Sequence, residues 1–584
     1  MIFIELPTEL LWQIISHLRF AREILHLSLA CKKLHNVISR DGFRIFVQSR
    51  FPSISVPVPI EYAGELNEFY KSAARSVSTL SKSWDRKAIL AYQFLPLSNS
   101  RESRFGVRSR QTMGFIPCID CYEDWFGGDW HDRSEVIACS TGAQFELCIN
   151  DLSKSEDHSS APNSPLRKSY DDKEKLDGRD DIVFVKLLHA TNKAQEFVIG
   201  RSSMNFERVA YHYDRRSFSR TALFETGGKA VKTAAASSNG LLAACLSTHS
   251  IALYSTEVEK GTTAQPIQEV ELVLPDNIQT RSARFLGQDR LAVAFGSPST
   301  PMRIFDVGNG ALGQGEQVVE ASPESTLRRG TFTSTDAESI CSLEPLSPSN
   351  SSGSREGDLF LAGYSDGSTG LFDLRCAKSA VAVFKDNVDT SSIYSLMAYG
   401  HERFVAGAGR GSLLKVFDLR MPAKKYYAHE LMPCSQPVME NEILHHKGSC
   451  CYFHHRMAHD KVGWNLFLRD GRSRYDSPVY SLSKTSDYSP SFFAGIEGKV
   501  MKIDLGSIMD RFPDPVLGLH HSESSSLELD RREVRSWASK RKILRLSMYE
   551  HVSRSSEAAK LRKQRPVDLY SGVYPGWDER WEPL

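Results

Sequence analysis

Residues 359–375 read LFLAGYSDGSTGLFDLR and residues 403–420 read RFVAGAGRGSLLKVFDLR. In each, an apolar strand ends on a small pair, Ala362-Gly363 or Ala406-Gly407. A tight polar turn follows, and a second strand ends on Phe372-Asp373 or Phe417-Asp418. Short apolar runs bounded by turn residues read as strands. The two small pairs lie roughly 44 residues apart, a period that suits one four-stranded blade of a radial array.

Working outward, RLAVAFGSPSTPMRIFDV ends at Val307 and FFAGIEGKVMKIDL at Leu505. Weaker copies are LLAACLSTHSIALYST (to Thr256), EFVIGRSSMNFERVAYHYD (to Asp214) and EVIACSTGAQFELCIND (to Asp151). The array resembles divergent WD-repeat blades. Phe372-Asp373, Phe417-Asp418 and Phe305-Asp306 stand where that family carries Trp-Asp, and Asp366 matches its turn aspartate. The Gly-His pair that usually opens a blade is absent from the expected places. The resemblance implies an all-β propeller of seven or eight blades over residues 116–510. Residues 422–478 are either a degraded blade or one long insertion. In such a ring each blade covers its neighbour's apolar faces. Ala362, Gly363, Ala406 and Gly407 are expected to let inner strands approach the axis. A ring built from turns suits binding of peptides or proteins better than chemistry.

Two stretches between copies, 152–181 and 345–357, are polar and read as disordered insertions. Residues 511–584 read as a charged helical and coil tail with an aromatic end. Its RREVRSWASKRKILR is expected to be a solvated helix, with a localisation or docking patch as the alternative. The aromatic VDLYSGVYPGWDERWEPL is expected to pack on the ring.

At 584 residues the chain exceeds one core and implies several domains. A net charge of +1 argues against a dedicated nucleic-acid binder. Eleven cysteines at scattered spacings read as reduced thiols, so the expected location is cytoplasm or nucleus. Glu5 and Glu9 in the apolar start, without a basic leader, do not fit a signal peptide. No stretch has the length and apolarity of a membrane span.

Ahead of the ring, residues 6–38 read LPTELLWQIISHLRFAREILHLSLACKKLHNVI. Leu6-Pro7 opens a helix, where proline's missing N–H costs nothing. Glu9 sits at the positive end of its dipole. Leu10, Ile14 and Leu18 form one stripe, and Leu11 and Ile15 a second beside it. A short helix starts at Glu23-Ile24-Leu25, and a third spans Ala30 to Ile38. Three helices in about forty residues cannot bury two stripes among themselves, so some apolar surface should meet another protein. Residues 1–50 resemble an F-box, with Phe43 and Phe46 where family members often carry tryptophan. The resemblance implies a docking unit for a Skp-type adaptor that bridges to a cullin. Its expected contact residues are Leu6, Pro7, Leu10, Ile14, Ile15, Leu18, Leu25, Cys31 and Leu34. Residues 51–115 form a helical linker leading into the ring. Within it, 61–92 is either a stiff rod or a helix packed on the domain edge.

Three motifs invite chemistry. Gly363-Tyr364-Ser365-Asp366-Gly367 matches G-x-S-x-G, but that motif needs a strand-to-helix turn. Gly308-x-Gly310-x-x-Gly313 matches G-x-G-x-x-G without a helix behind it. HHKGSCCYFHHRMAH, 445–459, and the pair Cys118/Cys121 hold zinc-type ligands but lack paired zinc-finger spacing. The expectation is therefore no catalytic residue, no metal and no cofactor. The expected function is a non-catalytic substrate receptor of a Skp–cullin–F-box ubiquitin ligase. The alternative is an F-box or propeller scaffold acting without ligase activity. Turn arginines Arg201 and Arg410 are candidates for a target, phosphorylated or not.

Overall fold

Local chemistry sets the N-terminal helices. Pro7 precedes α1 (Thr8–His17), and its carbonyl accepts from the N–H groups of Leu10 and Leu11. Glu23 accepts from the Phe20 N–H and caps α2 (Ala21–Ala30). The Cys31 sulfur accepts from Leu34 N–H and caps α3 (Lys32–Val37). A π-turn, Ile38–Gly42, leads into α4 (Phe43–Arg50). A longer helix, α5 (Leu66–Arg86), follows. This computed structural model describes residues 6–56 (except 19 and 55), 66–95, 114–152, 165–170, 178–188, 190, 193–308 (except 248, 275–277 and 297–300), 310–313, 317–319, 339–419 (except 349–353, 377–379, 387 and 401), 464–468, 477–506, 517, 543–550, 560–564 and 581–583. No described helix is long and apolar enough to cross a membrane.

The described strands form seven sheets. Their first strands are Ile119–Trp125, Ile182–Leu187, Val231–Ala236, Thr280–Leu286, Ile340–Pro345, Ile393–Tyr399 and Val479–Lys484, for blades 1 to 7 in turn. Each first strand packs against that of the next blade, and that of blade 7 against that of blade 1. The ring therefore closes as a seven-bladed propeller. All seven sequence copies are second and third strands, such as Leu359–Tyr364 with Ser368–Asp373 in blade 5. Because the first strands of blades 6 and 7 pack directly, no blade lies between them. Within 422–478, Trp464–Phe467 is the fourth strand of blade 6; 422–463 and 469–476 lie outside the described residues. Blade 7 takes its fourth strand from upstream. Ile89–Leu95 pairs with Lys499–Leu505, with Ile89 opposite Leu505 and Ala91 opposite Ile503.

The recurring small pair has a reason other than close approach to the axis. Gly363 lies opposite Ser342, Gly407 opposite Ser395, and Gly495 opposite Ser481. Each serine hydroxyl donates to the first strand region of the next blade: Ser342 to the Ile393 carbonyl (2.9 Å), Ser395 to Val479 (2.8 Å) and Ser481 to Pro117 (2.8 Å). A Cβ on those glycines would stand 2.5, 2.2 and 2.3 Å from the respective serine oxygens. Glycine thus clears the path of a blade-to-blade hydrogen bond. Stacked phenylalanines fill the blades, Phe360 on Phe372 at 5.0 Å and Phe404 on Phe417 at 4.9 Å.

Two expectations are corrected. Of 152–181, Leu166–Tyr170 is the fourth strand of blade 1, and Tyr170 packs on Phe218. Backbone pairing along an open edge compensates for the polar sequence. Residues 153–164 and 171–177 lie outside the described residues, as do 349–353 of the second insertion, whose Leu346 is buried in blade 5. The described tail is strand rather than helix. Ser547–Glu550, Lys560–Gln564 and Trp581–Pro583 extend blade 6 outward from Trp464–Phe467. The tail also holds the closing strand of blade 7. Leu544 N–H donates to the Ala91 carbonyl (2.8 Å), Gln564 Nε2 to Ile89 (3.0 Å) and Trp581 Nε1 to Lys87 (2.9 Å). An exposed sheet edge is a row of unpaired backbone groups, and these partners cover it. Most of RREVRSWASKRKILR lies outside the described residues.

Candidate interaction faces

The N-terminal helices separate into a core and a free face. Leu11, Ile15, Ile24, Leu34 and Ile38 are buried together with Phe43, Phe46 and Val47. Ile15 and Leu34, expected as contact residues, therefore belong to the core, because their stripe turns toward α4 and α5. Cys31 is half-buried and serves as the α3 cap. Pro7 and Leu10 are exposed, and Leu6, Ile14 and Leu18 are half-buried beside them. On α2, Leu25 and Leu29 are exposed, Leu29 to 73 %, and Phe20 precedes them at 50 %. Lys33 Nζ donates to the Leu6 carbonyl (3.2 Å), which brings the start of α1 to the α2–α3 junction close behind Leu29. Phe20 and Leu29 escaped the sequence reading. The signal was the Leu25/Leu29 pair at i, i+4, on the side of α2 away from Ile24 and Ser28.

Helix α5 joins this unit to the ring, so the packed-helix alternative holds and the free rod does not. Over 21 residues, about 31 Å, it buries Phe69, Tyr70, Ala73, Ala74, Val77, Leu80 and Trp84. Near its start Phe69 packs on Trp125 and Trp130 of blade 1 (5.8 and 5.6 Å), and Trp130 Nε1 donates to Ser76 Oγ (3.0 Å). At its end Trp84 packs on Tyr399, Trp464 and Phe492 (5.3, 6.0 and 6.2 Å). Asp85 pairs with Arg403. Beneath the helix, buried Arg133 lies over Trp130 (4.3 Å) and Tyr488 (5.3 Å) and pairs with Glu123 (2.8 Å). Burial pushes the Glu123 carboxyl up, and the Arg133 guanidinium pulls against it.

Trp130, Tyr488 and Glu402 all sit on connections between first and second strands, so α5 and the N-terminal helices occupy that face of the ring. The opposite face carries the turns between second and third strands. Arg410 is exposed on the blade 6 turn. Arg201 is not available: it is fully buried, pairs with Glu207 (3.0 Å) and donates to the carbonyls of Ala143 and Asp180. Arg201 ends a second strand with its side chain buried beneath an exposed turn, and no sequence signal separates it from Arg410.

The chemical motifs resolve into structure. Ser365 lies in a strand–turn–strand, and its Oγ accepts from Ser339 N–H (3.0 Å). Asp366 accepts from the Ser368 N–H and hydroxyl and from Lys385 Nζ. Burial opposes its ionisation, but these donors outweigh that and hold its carboxyl below the usual range. Gly308 and Gly310 to Leu312 belong to a hairpin. Cys118 Sγ points to the Ile182 carbonyl in blade 2 and Cys121 Sγ to Ser483 in blade 7, so the two face opposite neighbours. Desolvation pushes the Cys118 thiol up to about 11. Residues 445–459 lie outside the described residues; among the described residues no three metal-type ligands converge.

Residues 3–45 match the F-box-like family. Comparison of the chain with curated proteins gives no match. Such a domain implies a Skp-type adaptor as partner, and a propeller suits the binding of a protein target. The chain thus carries an F-box-like domain at residues 3–45 and, behind it, a seven-bladed β-propeller.

Proposed function

We propose that this chain is the substrate-recognition subunit of a Skp–cullin–F-box ubiquitin ligase, acting in cytoplasm or nucleus. One observation carries the reading. Helix α5 ties the F-box helices to one face of the ring, and no described helix packs on the opposite face. A receptor must hold its target at a fixed place relative to the transferring enzyme, and a continuous core from Leu11 to Tyr488 supplies that stiffness. Leu6, Pro7, Leu10, Ile14, Leu18, Leu25, Leu29 and Phe20 form the adaptor-docking face. The chain contributes binding and placement, while the chemistry of ubiquitin transfer belongs to the partners recruited through the cullin.

The test is affinity purification of the tagged full chain beside Leu10→Asp, followed by mass spectrometry. A charge in a desolvated contact costs about 2–4 kcal/mol at an interface anchor. Adaptor and cullin should accompany the wild type and be absent from the variant, with other partners retained by both. Adaptor without cullin would favour an F-box scaffold outside the ligase. Neither protein with the wild type would refute both readings.

A further inference from the structure

The connection between the first two strands of blade 7 carries Tyr488 into the joint between ring and helices, and a serine of blade 5 holds that connection. Ser347, on the corresponding connection of blade 5, donates its hydroxyl to Asp487 Oδ2 (2.9 Å). The other Asp487 oxygen accepts from Lys484 Nζ, which lies over the Tyr399 ring (4.7 Å). Asp487 lines a cleft with Phe51 and Ile54 of the N-terminal unit, Trp84 of α5 and Tyr399 of blade 6. The next residue, Tyr488, is buried against Trp130 (5.1 Å), and its hydroxyl accepts from Trp125 Nε1 (3.1 Å). One serine hydroxyl therefore meets the loop on which α5 and the F-box helices are seated.

Ser347 is followed by Pro348, which gives it a chemical class. Proline fixes its own φ, has no N–H and keeps the residue before it extended, which is the backbone that proline-directed protein kinases accept. Ser477 and Ser489 are the other described serines that precede a proline, and both are buried. Ser347 is half-buried and Pro348 is exposed. The surroundings repel a phosphate. Asp487 is in direct contact, and Glu344 stands at the end of the same first strand. Burial pushes the Glu344 carboxyl up, Arg284 and Lys484 pull it down, and the Asp487 charge pushes it up further. Phosphorylation adds about two negative charges beside these acids, and like charges repel.

We propose that Ser347 is a phosphorylation site for a proline-directed protein kinase, and that its phosphate forces the Asp487–Tyr488 loop away and loosens the seat of α5 on the ring. In the transfer, Ser347 Oγ attacks the γ-phosphorus of ATP. The Oγ–P ester bond forms, the β,γ-anhydride bond breaks with release of ADP, and the hydroxyl proton passes to the kinase's catalytic carboxylate. The hydroxyl must first leave Asp487, so the kinase takes the open form of the connection and the phosphate prevents its return. What this does to a target, loss of fixed placement, rests on the receptor reading; the modification and the loosening do not.

The purified full chain is incubated with a recombinant cyclin-dependent kinase, magnesium and ATP. Mass spectrometry locates the phosphates, and hydrogen exchange is read in α5 and in residues 484–490. Ser347 should carry phosphate, and amide exchange in both segments should quicken about tenfold. Ser347→Ala, treated in the same way, keeps every other Ser-Pro pair and should show no quickening. Asp487→Asn removes the repelling charge, so phosphate on Ser347 should quicken exchange less there than in the wild type. A treated wild type without phosphate on Ser347, phosphate on Ser347 with unchanged exchange, or quickening equal to the wild type's in either variant would overturn the proposal. None of these readouts involves the adaptor, so they stand or fall apart from the ligase reading, which the purification with Leu10→Asp tests.

Discussion

At the residue scale, the Ala-Gly pair shows how a legible pattern can carry an unread cause. The glycines mark strand ends in the sequence, but their serine partners lie twelve or more residues upstream and appear only when the register is known. Replacing Gly363 by Ala puts a Cβ 2.5 Å from Ser342 Oγ and 2.6 Å from Ile393 Cγ2. Such overpacking costs about 1–3 kcal/mol. Losing the Ser342 hydroxyl leaves the Ile393 carbonyl short of a donor, at about 1 kcal/mol. Urea denaturation of Gly363→Ala, Ser342→Ala and the double variant should therefore give non-additive losses, because Ser342→Ala relieves part of the clash. Strict additivity would contradict the account. Arginines show the opposite case: Arg201 and Arg410 occupy similar turns, and only the fold reveals that one is an internal strut.

At the element scale, the second and third strands of every blade were legible because both are short apolar runs around a polar turn. Fourth strands were not. Leu166–Tyr170 reads LRKSY and Ile89–Leu95 lies far from its blade, so outer strands take their structure from backbone pairing across the ladder. The C-terminal strands were misread for the same reason. Helix α5 was legible as a helix, while its burial on both the F-box and the ring depended on aromatic residues from three blades. Trp84 meets two of them, and truncating a buried tryptophan costs about 3–5 kcal/mol. Trp84→Ala should lower the denaturation midpoint and make the segment around α5 the first site cut in limited proteolysis. An unchanged cleavage pattern would mean that the helix is not the joint.

At the scale of the whole molecule, the division into an N-terminal helical unit and a β-ring was visible in the sequence, since apolar residues at helical spacing give way to short apolar runs broken by polar turns. The closure of the ring was not, because it depends on a strand that precedes blade 1 and on a tail that clasps it. Those two features make the propeller a unit that does not depend on the exposed F-box face. The face itself was half legible: Leu10 and Leu25 were found, Ile15 and Leu34 went to the core, and Phe20 and Leu29 appeared only with the helix packing. Titration of a purified Skp-type adaptor into the full chain and into Leu10→Asp, with thermal unfolding of both, tests the central claim. The account predicts saturable binding of one adaptor to the wild type, loss of binding in the variant, and the same ring unfolding transition in each. Undiminished binding to Leu10→Asp, or no binding to the wild type, would contradict it.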